Sequence, residues 1–258
     1  MAVERLQGQA VNVARRGEGP PEWLMLHCTL ARHEALLRLA GMLPGHVTLF
    51  DWPSHGRSED PPEGRDLHDH CTAIAADLLE DGAHIVGHSF GATVALRLAL
   101  EQQRVSALTL IEPVLFSAAV GAPGYIQHGG DYAPVEAAIA AGDTEAAARA
   151  FLDTWGMGVP WEAMPERLQR EALRGFHYVP DSAPALHHDG PGLLAPGRLE
   201  ALDIPVTLIA GAQSHPVIAD IHAALAERLP NARSVVIEGA GHMVPITHPG
   251  EVGKAMGY

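Results

Sequence analysis

Apolar residues recur along this chain in two rhythms. Short continuous runs, "WLMLH" (23–27), "HVTLF" (46–50), "AHIVG" (83–87), "SALTLIE" (106–112), "PVTLIAG" (205–211) and "ARSVVIEG" (232–239), do not alternate with polar residues. Strands buried on both faces of a sheet have this character. Between the runs the spacing lengthens to that of a helix. Leu67, Cys71, Ile74, Ala75, Leu78 and Leu79 share one face, and Ile218, Ile221, Leu225 and Leu229 share another. Strands alternating with helices predict an α/β fold, a mostly parallel, doubly wound sheet with helices on both faces.

The rhythm breaks between residues 116 and 198, where no strand run occurs. Helical spacing is found over 134–141, 144–155 and 161–175, interrupted by "GD" and "GMGVP" and followed by the Pro/Gly/His-rich "PALHHDGPGLLAPGR". The expected organisation is a core of residues 1–115 and 199–258, with 116–198 inserted as a helical lid. Ligands bind beyond the carboxyl ends of parallel strands, so a lid there covers a binding site.

Composition narrows the chemistry. The 258 residues carry a formal charge of -14, which argues against a nucleic-acid partner. Lys254 is the single lysine and lies in the C-terminal tail, away from any motif, so lysine-based covalent catalysis is not expected. Cys28 and Cys71 stand in unrelated contexts and form no ligand cluster. The first residues lack the apolar core of a signal peptide, and no run approaches membrane-spanning length; a cytoplasmic protein with no membrane partner is expected.

Against this background, "HIVGHSFGATVALRLAL" (84–100) acquires meaning. Gly87, His88, Ser89, Phe90 and Gly91 form G-x-S-x-G between a strand-like and a helical run. Small flanking residues let strand and helix approach closely, and the serine between them is pushed into a strained, exposed conformation. The Phe90 N–H then opens the helix, where unpaired donors favour a developing oxyanion. A serine nucleophile needs a base. His242, in "IEGAGHMVP" directly beyond the last strand run and flanked by Gly239 and Gly241, is the best-placed histidine. His248, six residues on, is the weaker candidate.

At this point the chain resembles the α/β-hydrolase superfamily over nearly its whole length. The resemblance rests on "GHSFG" after a strand, "HCTL" after an early strand, the "DWPSHGRS" turn, the helical insertion and the late "GAGH". It implies a serine hydrolase in which the backbone N–H of Thr29 completes the oxyanion hole with that of Phe90. Two positions depart from the family pattern. His27-Cys28 stands where His-Gly is usual, and Ser54 replaces the first glycine of the Asp51–Ser58 turn. The first departure reduces the freedom of the oxyanion loop; the second is expected to affect only its own turn. Cys28 reads as a small buried side chain rather than a second nucleophile.

The resemblance also implies an acid after "PVTLIAG", yet Ser214 and His215 occupy that place. Asp220 falls inside the following helix, and Asp203 precedes the strand at the wrong end of the sheet. Glu112 closes the apolar run "ALTLIE", where a buried carboxylate is costly without a partner such as an imidazolium. Haloalkane dehalogenases, which the chain resembles in this respect, carry their acid after that strand. Glu112 is the leading acid, with Asp220 or no working acid as alternatives.

The expected function is hydrolysis of a carboxylic ester or lactone of a small, fairly apolar metabolite through an acyl-enzyme at Ser89, without cofactor or metal. The alternatives are carbon–carbon bond hydrolysis of a vinylogous diketone, and a ligand-binding or regulatory protein that catalyses little. His187, His188, Asp189 and His177 read as a solvated loop rather than a metal site, because adjacent histidines on one extended segment do not face a single ion. Trp155, Trp161, Phe116 and Met157 are candidate pocket residues.

Overall fold

The computed structural model describes residues 2–258. Eight strands form one sheet: β1 (Ala2–Leu6), β2 (Gln9–Arg16), β3 (Glu22–Leu26), β4 (His46–Phe50), β5 (Ala83–His88), β6 (Val105–Ile111), β7 (Val206–Gly211) and β8 (Ala232–Ile237). Their order is β1-β2-β4-β3-β5-β6-β7-β8; β2 pairs antiparallel with both β1 and β4, and the other pairs are parallel. The helices of eight or more residues are α1 (Leu67–Asp77), α2 (Phe90–Glu101), α3 (Pro123–Ala140), α4 (Thr144–Trp155), α5 (Glu166–Gly175), α6 (Pro216–Arg228) and α7 (Pro249–Met256). Among the described residues, no helix is long and apolar enough to cross a membrane.

The continuous apolar runs are explained by the two cores they serve. Leu24, Leu26, Ile85, Leu108, Leu110 and Leu208 point to one face, where Ile74 of α1, Leu98 of α2 and Ile221 and Leu225 of α6 meet them. The alternate residues Trp23, Met25, Val47, Val86, Ile111 and Ile209 point to the other, against Val252 and Met256 of α7. Residues of these central runs are therefore mostly inside, whichever face they take.

Three elements differ from the sequence reading. The hairpin β1–β2 precedes the first recognised run; it is closed by Gln7 and Gly8, both at positive φ (49° and 85°), as a two-residue hairpin turn requires. Helix α3 starts eleven residues earlier than expected and runs through Gly129, Gly130 and Pro134. Asp220 makes this possible by accepting the Gly124 and Tyr125 amides at 2.7 and 3.2 Å, which satisfies donors at the helix start. The expected helix over 161–175 is split at Pro165 into a single turn (Trp161–Ala163) and α5. In addition, β8 is an edge strand with Arg233, Ser234 and Val236 exposed, so its apolar run is only half buried.

The chain leaves β3 for β4 on one side and then crosses to β5 on the other, so the topological switch lies between β3 and β5. Ser89 follows β5 at this crevice. Gly87 and Gly91 are required by close approach. A Cβ on Gly87 would lie 2.3 Å from the Gly91 oxygen, and one on Gly91 would lie 2.4 Å from the Leu26 oxygen. Gly91→Ala is expected to destabilise the fold by about 2–3 kcal/mol, as overpacking against immobile backbone does. A urea midpoint equal to wild type would show that β3 and α2 can move apart.

Burial also sets acid sensitivity. His27, His55, His68 and His88 are each 1–3% exposed. Loss of hydration on burial pulls His27 down to about 4 and the other three to about 3. The unfolded chain takes up these protons below its ordinary value of about 6.5, whereas the native protein does not, so stability falls as pH falls from there towards 4. Four such groups steepen the decline to about 5 kcal/mol per pH unit at most. The Tm is expected to drop sharply between pH 6.5 and 4.5. A Tm that holds until carboxylates begin to titrate, below about pH 4.5, would assign acid lability to them instead.

Candidate active site

The carboxyl edge of the sheet gathers Ser89, His242 and Glu112 from three separate loops. Ser89 has φ 56° and ψ -117°, left-handed strain in a residue with a side chain, held by its amide bond to the Ile111 oxygen at 2.9 Å. His242 lies in the loop after β8, and that loop is tied to the one after β7 by Gln213 N–H donating to the Ala240 oxygen at 2.8 Å. Glu112 directly follows β6, itself at φ 53°.

These three side chains form one hydrogen-bonded line. His242 Nδ1 is 2.9 Å from Glu112 Oε2, and His242 Nε2 is 3.0 Å from Ser89 Oγ. Burial opposes the charge on Glu112, but the hydrogen bond and charge of His242, with Ser214 and Gly211, outweigh it and hold the carboxyl below its usual range. An ionised Glu112 only accepts, so Nδ1 carries the proton and the Nε2 lone pair faces the Ser89 hydroxyl. The arrangement can remove a proton from Ser89 and stabilise the resulting imidazolium.

Surrounding groups fix this line in place. Ser214 Oγ donates to Glu112 Oε1 at 2.6 Å and the Gly211 amide donates to the same oxygen at 2.7 Å. Ser214 stands where an acid was sought after β7, and it serves instead as a donor to the acid on β6. His88 Nε2 lies 2.9 Å from the His242 carbonyl oxygen; since a carbonyl only accepts, His88 donates. Asp220 is engaged at the start of α3, Asp203 accepts from Asn231 at 2.8 Å, and His248 meets Thr247 at 2.8 Å. None of these three joins the line.

The loop after β3 brings Thr29 to the same cavity as Ser89. Its backbone tolerates Cys28 because the left-handed residue is Leu30 (φ 61°). His27 fixes the loop by donating Nδ1–H to the Cys28 oxygen at 2.7 Å and accepting the Trp52 amide on Nε2 at 3.1 Å. Burial pushes the Cys28 thiol up to about 12, which leaves it protonated and inert at neutral pH. Among the described residues, neither the Thr29 nor the Phe90 amide donates to a protein group. Ser54, in the glycine position of its turn, holds φ 59°, and its hydroxyl lies 2.9 Å from His177 Nε2. Its effect reaches beyond the turn, because His177 belongs to the helical segment between β6 and β7.

That segment covers the site, and Ser89 and His242 are each 7% exposed. Trp155 meets the His242 ring edge-on, centroids 4.7 Å apart. A cavity partly open to solvent lies at Ser89, lined by Val114 and Phe116 and by Tyr132, Phe151, Trp155 and Leu186 of that segment. A second recess shares Thr29, Ser89, Phe151 and Trp155 with it and is lined in addition by His242 and Met243. Phe116 and Trp155 thus line the cavity. Trp161 packs with Val135, Ala148 and Phe176 in an apolar cluster within the helical segment, and Met157 is exposed. His187 lines the cavity; Asp189 accepts the Leu193 and Leu194 amides, and His177 pairs with Asp181, so these residues sit in separate hydrogen-bond sets.

Comparison with known proteins agrees with this fold. Over 128 residues the chain is 34% identical to the dihydrolipoyllysine-residue acetyltransferase component of the acetoin cleaving system of Cupriavidus necator, a match taking in 47% of this chain and 34% of that protein. The chain therefore spans about a third of that relative's length. Among solved structures, an alpha/beta hydrolase of Sphaerobacter thermophilus aligns over 99% of this chain and 100% of its own, with TM-score 0.71 and 23% identity. The enol-lactonase of Burkholderia xenovorans aligns over 99% of this chain and 98% of its own, with TM-score 0.74 and 18% identity. Likeness at these identities establishes the shared fold. Residues 20–255 match the model of the alpha/beta hydrolase family, and the chain belongs to that family.

Proposed function

We propose that this protein is a serine hydrolase that cleaves a carboxylic ester or lactone of a small, fairly apolar metabolite through an acyl-enzyme at Ser89. The observation that carries this reading is the line Glu112–His242–Ser89, with contacts of 2.9 and 3.0 Å, at the carboxyl edge of the sheet. His242 takes the Ser89 proton as Oγ attacks the carbonyl carbon, and the Phe90 and Thr29 amides hold the oxyanion. His242 Nε2–H then protonates the leaving oxygen. Water enters, gives its proton to His242, and releases the acid as Ser89 regains its hydroxyl.

His242 must reach the leaving group. The recess that contains His242 and Met243 therefore takes the alcohol side, and the cavity lined by Phe116 and Leu186 takes the acyl side. The helical segment between β6 and β7 acts as a cap over both. Lack of an acid after β7 would favour a weakly catalytic binding protein; Glu112, after β6, meets that need. Two buried free thiols fit a cytoplasmic setting.

A fluorophosphonate probe is expected to add one phosphonyl group to the wild-type protein and none to Ser89→Ala, read by intact mass. Glu112→Gln is expected to lower kcat on simple aryl esters by about a thousandfold to ten-thousandfold through the wrong His242 tautomer. Labelling that persists in Ser89→Ala, or turnover unaffected by Glu112→Gln, would refute the assignment.

A further inference from the structure

The cavity on the acyl side is small. Its volume is about 40 Å³, and that of the recess beside His242 is about 50 Å³. A cavity needs roughly 10–15 Å³ to hold one water-sized group, and one of about 150 Å³ takes a benzene ring. The acyl side therefore admits about three methyl- or methylene-sized groups beyond the carbonyl carbon, and no ring.

Aromatic side chains set this limit. Phe151 and Trp155 line both spaces, whereas Phe116 lines only the acyl side. Phe116 is 6% exposed and opens the single turn Phe116–Ala119 that follows β6, so it belongs to the core rather than to a mobile lid edge. Its ring has no room to step aside. It stacks on His128 with centroids 4.4 Å apart and planes at 12°, stacks on His187 at 4.5 Å and 23°, and leans on Trp155 at 5.9 Å. His128, 3% exposed, backs this wall without lining the cavity. It stands on α3, which is tied down by Asp220 and by the pair His215–Asp131. Packing this close resists the rotamer change that a longer chain would demand. In an apolar pocket without an end wall, each further methylene is buried and raises kcat/KM by about fourfold. With Phe116 in place the rise must stop.

We propose that Phe116 determines the chain length accepted at the acyl side, and that the acyl group of the substrate carries about two to four carbons. The proposal rests on the acyl-enzyme reading above for the side of Ser89 on which that group lies. It assigns the Phe116 stack to substrate selection rather than to packing alone.

The test compares kcat/KM for para-nitrophenyl acetate, butanoate, hexanoate and octanoate. Wild type is expected to peak at acetate or butanoate and to fall by about tenfold at hexanoate, the effect of overfilling a packed site. Phe116→Ala is expected to move the peak to hexanoate or octanoate, a displacement that loss of stability alone does not produce. Phe116→Leu moves it less, in the same direction, and carries the test if Phe116→Ala fails to fold. Ile126→Ala, on α3 but 68% exposed, leaves the peak where wild type has it. A wild-type kcat/KM that climbs steadily to octanoate, or a peak that the Phe116 variants leave in place, would overturn the proposal. If wild type turns over none of the esters, calorimetry on Ser89→Ala decides the size of the acyl side. Butanamide binding at least as tightly as octanamide supports the limit, and tighter octanamide overturns it. Failure of wild type to take up a fluorophosphonate separately marks the failure of the acyl-enzyme reading.

Discussion

The structure turns on one buried carboxylate. Glu112 has no solvent-exposed surface, and a carboxylate there is tolerable only because three groups meet it: the Gly211 amide, the Ser214 hydroxyl and the His242 imidazole. Those partners come from β6's neighbour β7 and from the loop beyond β8. Meeting the needs of Glu112 therefore closes the carboxyl edge of the sheet from β6 to β8, and fixes which nitrogen of His242 is free. The orientation of His242 towards Ser89 follows from Glu112 rather than from Ser89 itself.

On the other side of the line the constraint is steric. Gly87 and Gly91 let α2 start against β3 and β5, and this close packing forces Ser89 into its left-handed conformation. Backbone strain of this kind persists only where the surroundings over-determine it. Here the Ser89 amide is anchored on Ile111, the residue before Glu112, so the elbow and the acid share a strand end. A shift of β6 would disturb both at once. The His88 bond to the His242 carbonyl adds a direct tie between the elbow and the base loop.

Much of this was legible in the sequence because it depends on local pattern. Continuous apolar runs mark the doubly buried strands from β3 to β7, and G-x-S-x-G between a strand and a helix marks the elbow. Glu112 was legible by a physical argument, since a carboxylate closing an apolar strand demands a partner. The hairpin β1–β2 escaped notice because its strands sit at an edge and mix charged with apolar residues, while Gln7-Gly8 is a weak turn signal. The start of α3 was hidden by Gly129, Gly130 and Pro134, whose low helix propensity is overridden by the distant Asp220 carboxylate. Ser214 was seen only as an acid missing from its place. Its hydroxyl matters through a partner 102 residues away, a relation no local pattern records.

The position of the acid has a geometric consequence for the helical segment. With the carboxylate on β6, the loop after β7 is free of charge and turns directly into α6 at Pro216. Helix α6 then offers Asp220 to the first turn of α3, and His215, the residue before α6, meets Asp131 about two turns further along α3. The first long helix of the covering segment is thus docked on the loop and helix that an acid after β7 would otherwise engage. With the buried carboxylate at Glu112, this corner of the molecule holds α3, and with it Tyr132, against the cavity. The reacting line and the wall opposite it are placed by the same exchange of roles between Glu112 and Ser214.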